Sequence, residues 1–279
     1  MPHLRSKDIL VLALTVLMPF HKVWAGNVIK PESSGSNILI LDSNDPWPKG
    51  ATELQDVEID GTASKVGYSY LDVVQTLKKK AIEQNANIVK ITEKIIGHKN
   101  ECCKVSAILY RTDDIHKYER EFSWSPDRKL NWDDFSGRVY RTQGEEEAVA
   151  VTYCGFGFET NTVTVSNKVQ IMVHNSFRKD VSWVIPSERT PEVLEHEQGH
   201  FDLCEIYTRK LRERFNDLNV TVYNLNSVLA EAYHEVGDEY KARQQEYEEQ
   251  TQNGQNRLAQ KRWERIIKQE LGETEAWMM

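Results

Sequence analysis

Apolar residues first cluster, then alternate, and finally recur every three to four positions along this chain. The cluster runs from Ile9 to Phe20, broken only by Thr15 and Pro19, with Arg5 and Lys7 ahead of it. A spanning helix needs roughly 20 apolar residues, so this run has the length of a signal-peptide core instead. Val23-Trp24-Ala25 follows, with small residues at the −3 and −1 positions, and predicts cleavage after Ala25. No later stretch is apolar enough to cross a bilayer, so the product is expected to be exported, periplasmic or secreted, with no stable membrane span.

Residues 26–115 read as a small α+β domain. A leader rich in Ser, Asn, Pro and Gly carries one short strand, Asn37 to Leu41, and a second strand is expected from Leu54 to Ile59. Tyr70 to Gln84 has helical spacing, with Val73, Val74, Leu77 and Ala81 on one stripe and Lys78-Lys79-Lys80 on a solvated face. Asn87 to Ile96 and Lys104 to Arg111 alternate as strands, giving a β-α-β-β order. No acid, histidine or thiol cluster with catalytic spacing occurs in this region.

Residues 116–279 form the second domain. Ala148 to Phe158, Asn167 to Phe177 and Val181 to Ile185 are expected strands; from Ser187 onward the period is helical. Strands followed by helices make an α+β fold rather than a βαβ repeat. The composition, 39% hydrophobic and 28% charged, is that of a globular chain, and a net charge of −8 argues against nucleic acid as a partner. Export would allow disulfides, but Cys102 and Cys103 are adjacent, and the pairing of these two with Cys154 and Cys204 stays open.

The chemistry lies on the first helix of the second half. Thr190 is a suitable N-cap and Pro191 a suitable first residue, for a helix running to about Phe215. His196 and His200, four apart, put two imidazoles on one helix face within reach of a single Zn²⁺. Glu197, one position round from His196, is placed as general base toward a water that the metal activates. Val193, His196, His200, Cys204, Tyr207 and Leu211 form one inward stripe, and Gly199 suits close approach by a neighbouring strand. Lys168 to Phe177 is a candidate edge strand for pairing with an extended peptide, with His174 near its end. Glu205 is half a turn away from His196 and faces elsewhere.

His196-Glu197-Gln198-Gly199-His200-Phe201-Asp202 resembles the motif of a bacterial secreted zinc-dependent protease family, catalogued as domain of unknown function 922. Leu130-Asn131-Trp132-Asp133-Asp134-Phe135, Ser182-Trp183-Val184 and the segment from Gln255-Asn256 to Gln260-Lys261-Arg262-Trp263-Glu264 resemble it too, over about 116–270. The resemblance implies a zincin-like fold and an exported peptidase acting on a peptide or protein substrate. The family tends to carry Tyr-Asp-x-Glu-Thr-x-His-Gly where this chain reads Tyr247-Glu248-Glu249-Gln250-Thr251-Gln252-Asn253-Gly254, so a histidine is replaced by Asn253. Catalytic zinc normally takes three protein ligands. For the third, Glu231, His234, Glu235, Asp238 and Glu239 on the helix from about Leu225 are open alternatives, His234 being the only histidine after His200. The departure keeps two further readings in view: a zincin-fold envelope protein that binds peptide or metal without hydrolysis, and an interaction protein working through the first domain.

Overall fold

The computed structural model describes residues 38–60, 70–96, 103–140, 148–163 and 168–278. The expected signal segment and Cys102 lie outside them. The chain divides into two compact units, one ending at Glu119 and one from Arg120 onward.

The first unit contains β1 (Leu39–Leu41), β2 (Thr52–Asp60), α1 (Tyr70–Glu83), β3 (Ile88–Ile96) and β4 (Cys103–Arg111). Its sheet has the order β1-β3-β4-β2, with β1 parallel to β3 and the other pairs antiparallel. Val73, Leu77 and Ala81 repeat at four-residue intervals, so one face of α1 buries them against Val89, Ile91, Val105 and Leu109. Lys90 is buried, and its ammonium donates to the main-chain carbonyls of Asp42, Ser43 and Asp45. Those three acceptors compensate the cost of desolvating the charge.

The second unit is strands first, helices after: β5 (Glu121–Phe122), β6 (Ala150–Val151), β7 (Cys154–Val163), β8 (Lys168–Arg178) and β9 (Trp183–Val184), then α2 (Pro191–Asp217), α3 (Leu225–Thr251) and α4 (Arg257–Glu273). The whole chain is therefore α+β. An antiparallel sheet has the order β5-β8-β7, and β6 pairs separately with β9. The strand expected over Ala148 to Phe158 is thus split at Thr152-Tyr153, because its two halves pair with different partners. β8 lies between β7 and β5 in this order, but β5 pairs only with Phe177 and Arg178, so among the described residues Lys168–Ser176 has β7 as its only strand neighbour. The alternate β8 residues Ile171, Val173, Asn175 and Phe177 are buried, whereas His174 is on the opposite, partly exposed face. Buried Asn175 and the Val173 carbonyl bond to side chains of α2, so His174 points away from that helix.

α2 is the axis of this unit. Thr190 accepts from the Val193 amide at 3.3 Å and Pro191 opens the helix, as the cap pattern predicts. Between His196 and Arg212 only Gln198 and Lys210 escape full burial. The single inward stripe is therefore too narrow a description. One side of α2 packs on the sheet, with Phe201 against Phe122 and Phe177; the others meet α3 and α4. Pairs from His196–Tyr247 through Tyr207–Tyr240 to Arg214–Glu235 run α3 antiparallel to α2. Arg209 donates to the Leu271 carbonyl and His196 meets Gln260, so α4 runs in the same direction as α2.

Such complete burial of a polar helix requires partners. Glu205 accepts from Arg209 at 2.7 Å, from Arg212 at 3.3 Å and from Asn175, on the side away from His196. Gln198 accepts from the Leu130 amide at 2.8 Å and donates to Asp202, which also accepts from the Trp124 indole. Asp134 forms a capping box with Asn131 and pairs with Arg128 and Lys179. These bonds fasten the segment 124–135 to the helix that carries the histidines.

Candidate metal centre

His196 and His200 enter the same space from successive turns of α2, and the opening turn of the pair is fixed by the cap. Their Nε2 atoms are 3.1 Å apart. A carboxylate from the last turn of α3 completes the group: Glu248 lies 3.3 Å from His196 Nε2 and 3.1 Å from His200 Nε2. Among the described residues, these three form the one group of His, Cys, Asp or Glu donors compact enough to hold a metal ion.

The triangle fits a metal. Zinc bonds of about 2.0–2.1 Å at tetrahedral angles put neighbouring donors about 3.3 Å apart. The outer nitrogens confirm which lone pairs converge. His200 Nδ1 is 2.6 Å from Gln244 Oε1, while Gln244 Nε2 donates to the His200 carbonyl at 3.1 Å. His196 Nδ1 is 3.2 Å from Gln260 Oε1, while Gln260 Nε2 donates to the Tyr247 hydroxyl at 2.9 Å. The His200 carbonyl orients the Gln244 amide, and Tyr247, with its one proton directed to the His196 carbonyl, accepts from Gln260 Nε2, which leaves each Oε1 to accept from an Nδ1–H. Both Nε2 atoms are left as acceptors, facing each other and a carboxylate. Three acceptors at this separation repel unless a cation or a proton sits between them.

Glu197 adjoins the group. It is 1% exposed, and its Oε2 has no hydrogen-bond partner. Burial pushes its carboxyl pKa above the ordinary value, against the pull of His200 and His196. For Glu248 burial acts in the same upward direction, but the two imidazoles outweigh it and bring the pKa to about 2. Burial lowers the His196 pKa, and Glu248 more than reverses this, raising it above the ordinary value. Two buried carboxylates beside two imidazoles make a pocket whose charge a single dication balances.

Tyr247 holds the two sides together. Its ring stacks on His196 at a centroid distance of 4.8 Å and meets His200 edge-on at 4.9 Å. Its hydroxyl lies 3.1 Å from the His196 carbonyl. Gly199 makes room for that ring: an added Cβ would fall 2.7 Å from Tyr247 Cζ. The close neighbour anticipated at Gly199 is therefore an aromatic side chain of α3, not a strand. Gly254, at φ 76° in the α3–α4 turn, lies against His196, where an added Cβ would be 3.0 Å from the ring.

Residues 163–255 match a family model described as a bacterial protein of unknown function, DUF922. That span contains all three converging donors and Glu197. No curated protein and no solved structure matches the chain.

None of the alternatives left open for a third ligand lies in this group. His234 is exposed on α3, as are Glu231, Glu235, Asp238 and Glu239. Fourteen residues separate His234 from Glu248, about 21 Å along a helix. The acid that does approach both imidazoles is Glu248, five residues before Asn253. Asn253 and Gln252 have φ of 55° and 50° and form the turn after α3, a conformation that asparagine tolerates better than most residues. A signal for Glu248 exists in the sequence: the apolar stripe Leu225, Leu229, Ala232, Val236, Tyr240 continues in steps of three or four to Gln244, Tyr247, Glu248 and Thr251, all buried.

Proposed function

We propose that the chain is an exported zinc peptidase, with Zn²⁺ held by His196, His200 and Glu248 and with Glu197 as the general base. The observation that carries the reading is the convergence of two oriented Nε2 acceptors and one carboxylate beside a second buried carboxylate with a free oxygen. Two histidines and one glutamate are a donor set that catalytic zinc uses, leaving a fourth position open. Zinc in such a site acts as a Lewis acid toward a carbonyl and lowers the pKa of water.

The protein's own groups have separate tasks. Glu197 Oε2 accepts the proton of the attacking water and passes it to the leaving amine. Burial raises its basicity toward the working pH, which favours proton transfer. Glu248 supplies the anionic ligand, and Gln244 and Gln260 keep both imidazoles in the tautomer that presents Nε2. The substrate is a peptide bond of an extracytoplasmic protein or peptide.

One observation favours a second reading, a zinc-holding envelope protein without hydrolysis: His196, Glu197 and His200 are each 2% exposed or less. The experiment separates the two. Purified protein is analysed for zinc and incubated with a broad peptide library. The peptidase reading expects about one zinc per chain, loss of zinc from His196→Ala, His200→Ala and Glu248→Ala, and retained zinc in Glu197→Gln with hydrolysis reduced by about 10²–10⁴-fold. Zinc without cleavage by the wild type favours the second reading. A folded wild type that takes up no zinc overturns both.

A further inference from the structure

We propose that Gln260 and Gln244 are positioning residues that set how tightly, and in what electronic state, the site holds its metal; the inference rests on the zinc reading above. Each accepts a hydrogen bond from the outer nitrogen of one ligand histidine, at 3.2 Å for Gln260–His196 and 2.6 Å for Gln244–His200. Each is pinned by its own amide NH₂, Gln260 to the Tyr247 hydroxyl and Gln244 to the His200 carbonyl. Both are buried, Gln260 at 1% and Gln244 at 4% exposure. A rotated Gln244 amide would point NH₂ at an N–H and its oxygen at the His200 carbonyl and lose two bonds; Gln260 is held by the Tyr247 hydroxyl, which reaches both its oxygen and its nitrogen.

The chemical type of the acceptor matters. Ligand histidines often donate to a carboxylate, which makes the imidazole more basic and binds the metal more firmly. Here the acceptors are neutral. The buried pocket already contains Glu248 and Glu197, whose two charges match one dication. A third carboxylate would overcompensate and weaken the metal as a Lewis acid. Two amides fix orientation while adding no charge. Gln260 comes from α4, outside the span that matches the family model, so α4 is part of the site rather than a cap on the bundle. Its neighbours place it there: Asn256 caps α4 by accepting from Ala259, and Trp263, one turn on, packs edge-on against Tyr247 at 5.2 Å.

The test compares Gln260→Met with Gln260→Glu in the full chain, measuring zinc affinity by competition with a chromophoric chelator and thermal stability of the metal-free protein. Gln260→Met loses the contact with Tyr247, whereas a carboxylate in Gln260→Glu can still accept from that hydroxyl, so for a merely structural residue zinc affinity would simply follow the stability of the metal-free protein in both variants. The positioning role predicts that Gln260→Met weakens zinc by about 10–100-fold, while Gln260→Glu binds at least as tightly as wild type and has a lower kcat on any peptide the wild type cleaves. Gln244→Met and Gln244→Glu repeat the comparison at His200, so a failure of one variant to fold does not decide the matter. Equal weakening by Met and Glu, or no weakening by Met, overturns the proposal while leaving the zinc reading standing. A wild type that binds no zinc removes the zinc reading itself.

Discussion

Gly199→Ala sets two physical effects of opposite sign against each other. In an exposed helix the substitution adds about 1 kcal/mol of stability, because glycine is the poorer helix former. At this position the new Cβ falls 2.7 Å from Tyr247 Cζ, whereas ordinary contact begins near 3.4 Å. The hydroxyl lies closer still, so the side chain must retreat by more than about 0.7 Å. It cannot do so freely: it is fully buried, stacked on His196 and wedged against His200 and Trp263. Retreat strains the bonds of its hydroxyl to the His196 carbonyl and to Gln260, each worth about 1 kcal/mol. Overpacking of a well-filled core adds about 1–3 kcal/mol. The net expectation is a loss of about 2–4 kcal/mol, read by urea titration of the metal-free protein in chelator. Zinc affinity should fall as well, because His196 moves with Tyr247. In a double-mutant cycle with Tyr247→Leu, the combined loss should be smaller than the sum of the two single losses. A Gly199→Ala protein as stable as wild type, or more stable by the helix-propensity increment, would refute the close-approach argument.

Alanine at His196, His200 or Glu248 should abolish stoichiometric zinc, whereas Glu197→Gln should keep it, both checked by metal analysis. Asn253→His should leave zinc affinity and activity near wild type, since three donors are already in place; a marked gain would show that position 253 supplies a ligand. The metal-free protein should owe most stability to the Glu248–His196 pair between about pH 4.5 and 6.5, a window in which the Glu197 contribution is already falling. Glu248, with its pKa depressed to about 2, contributes fully above its ordinary value near 4.5 and loses this as pH falls toward 2. His196 and Glu197, both raised, contribute below their ordinary values near 6.5 and 4.5 and lose it as pH rises through their folded values. Zinc-induced stabilisation should instead grow with pH, because the metal competes with protons for the same nitrogens; thermal melts across pH with and without zinc measure both trends, and parallel curves would refute the account.

The sequence exposes local physics well and crossings poorly, and the site shows where the division falls. The pair His196 and His200 is legible because one helix, with its cap at Thr190 and proline at 191, sets their separation without help from the rest of the chain. Glu205 was legible as facing away for the same reason, though its partners Asn175, Arg209 and Arg212 were not. Glu248 and Gln260 depend on how α3 and α4 cross α2, which no spacing within either helix states. On α3 the acids Glu231, Glu235, Asp238, Glu239 and Glu248 look alike as letters. They differ in whether the buried stripe passes through them, and only Glu248 lies on its continuation. Extending an apolar stripe through polar residues is therefore informative: a carboxylate and an amide at core positions are costly unless something pairs with them, and here the histidines of α2 are what they pair with. The split strand at Thr152-Tyr153 has the same origin. The alternation is legible in the letters, but the change of partner from β9 to β8 is a property of the sheet. The replaced histidine at Asn253 is conspicuous because a difference between letters is visible, yet the backbone there turns through left-handed residues, and the third of the converging donors, Glu248, sits five positions earlier.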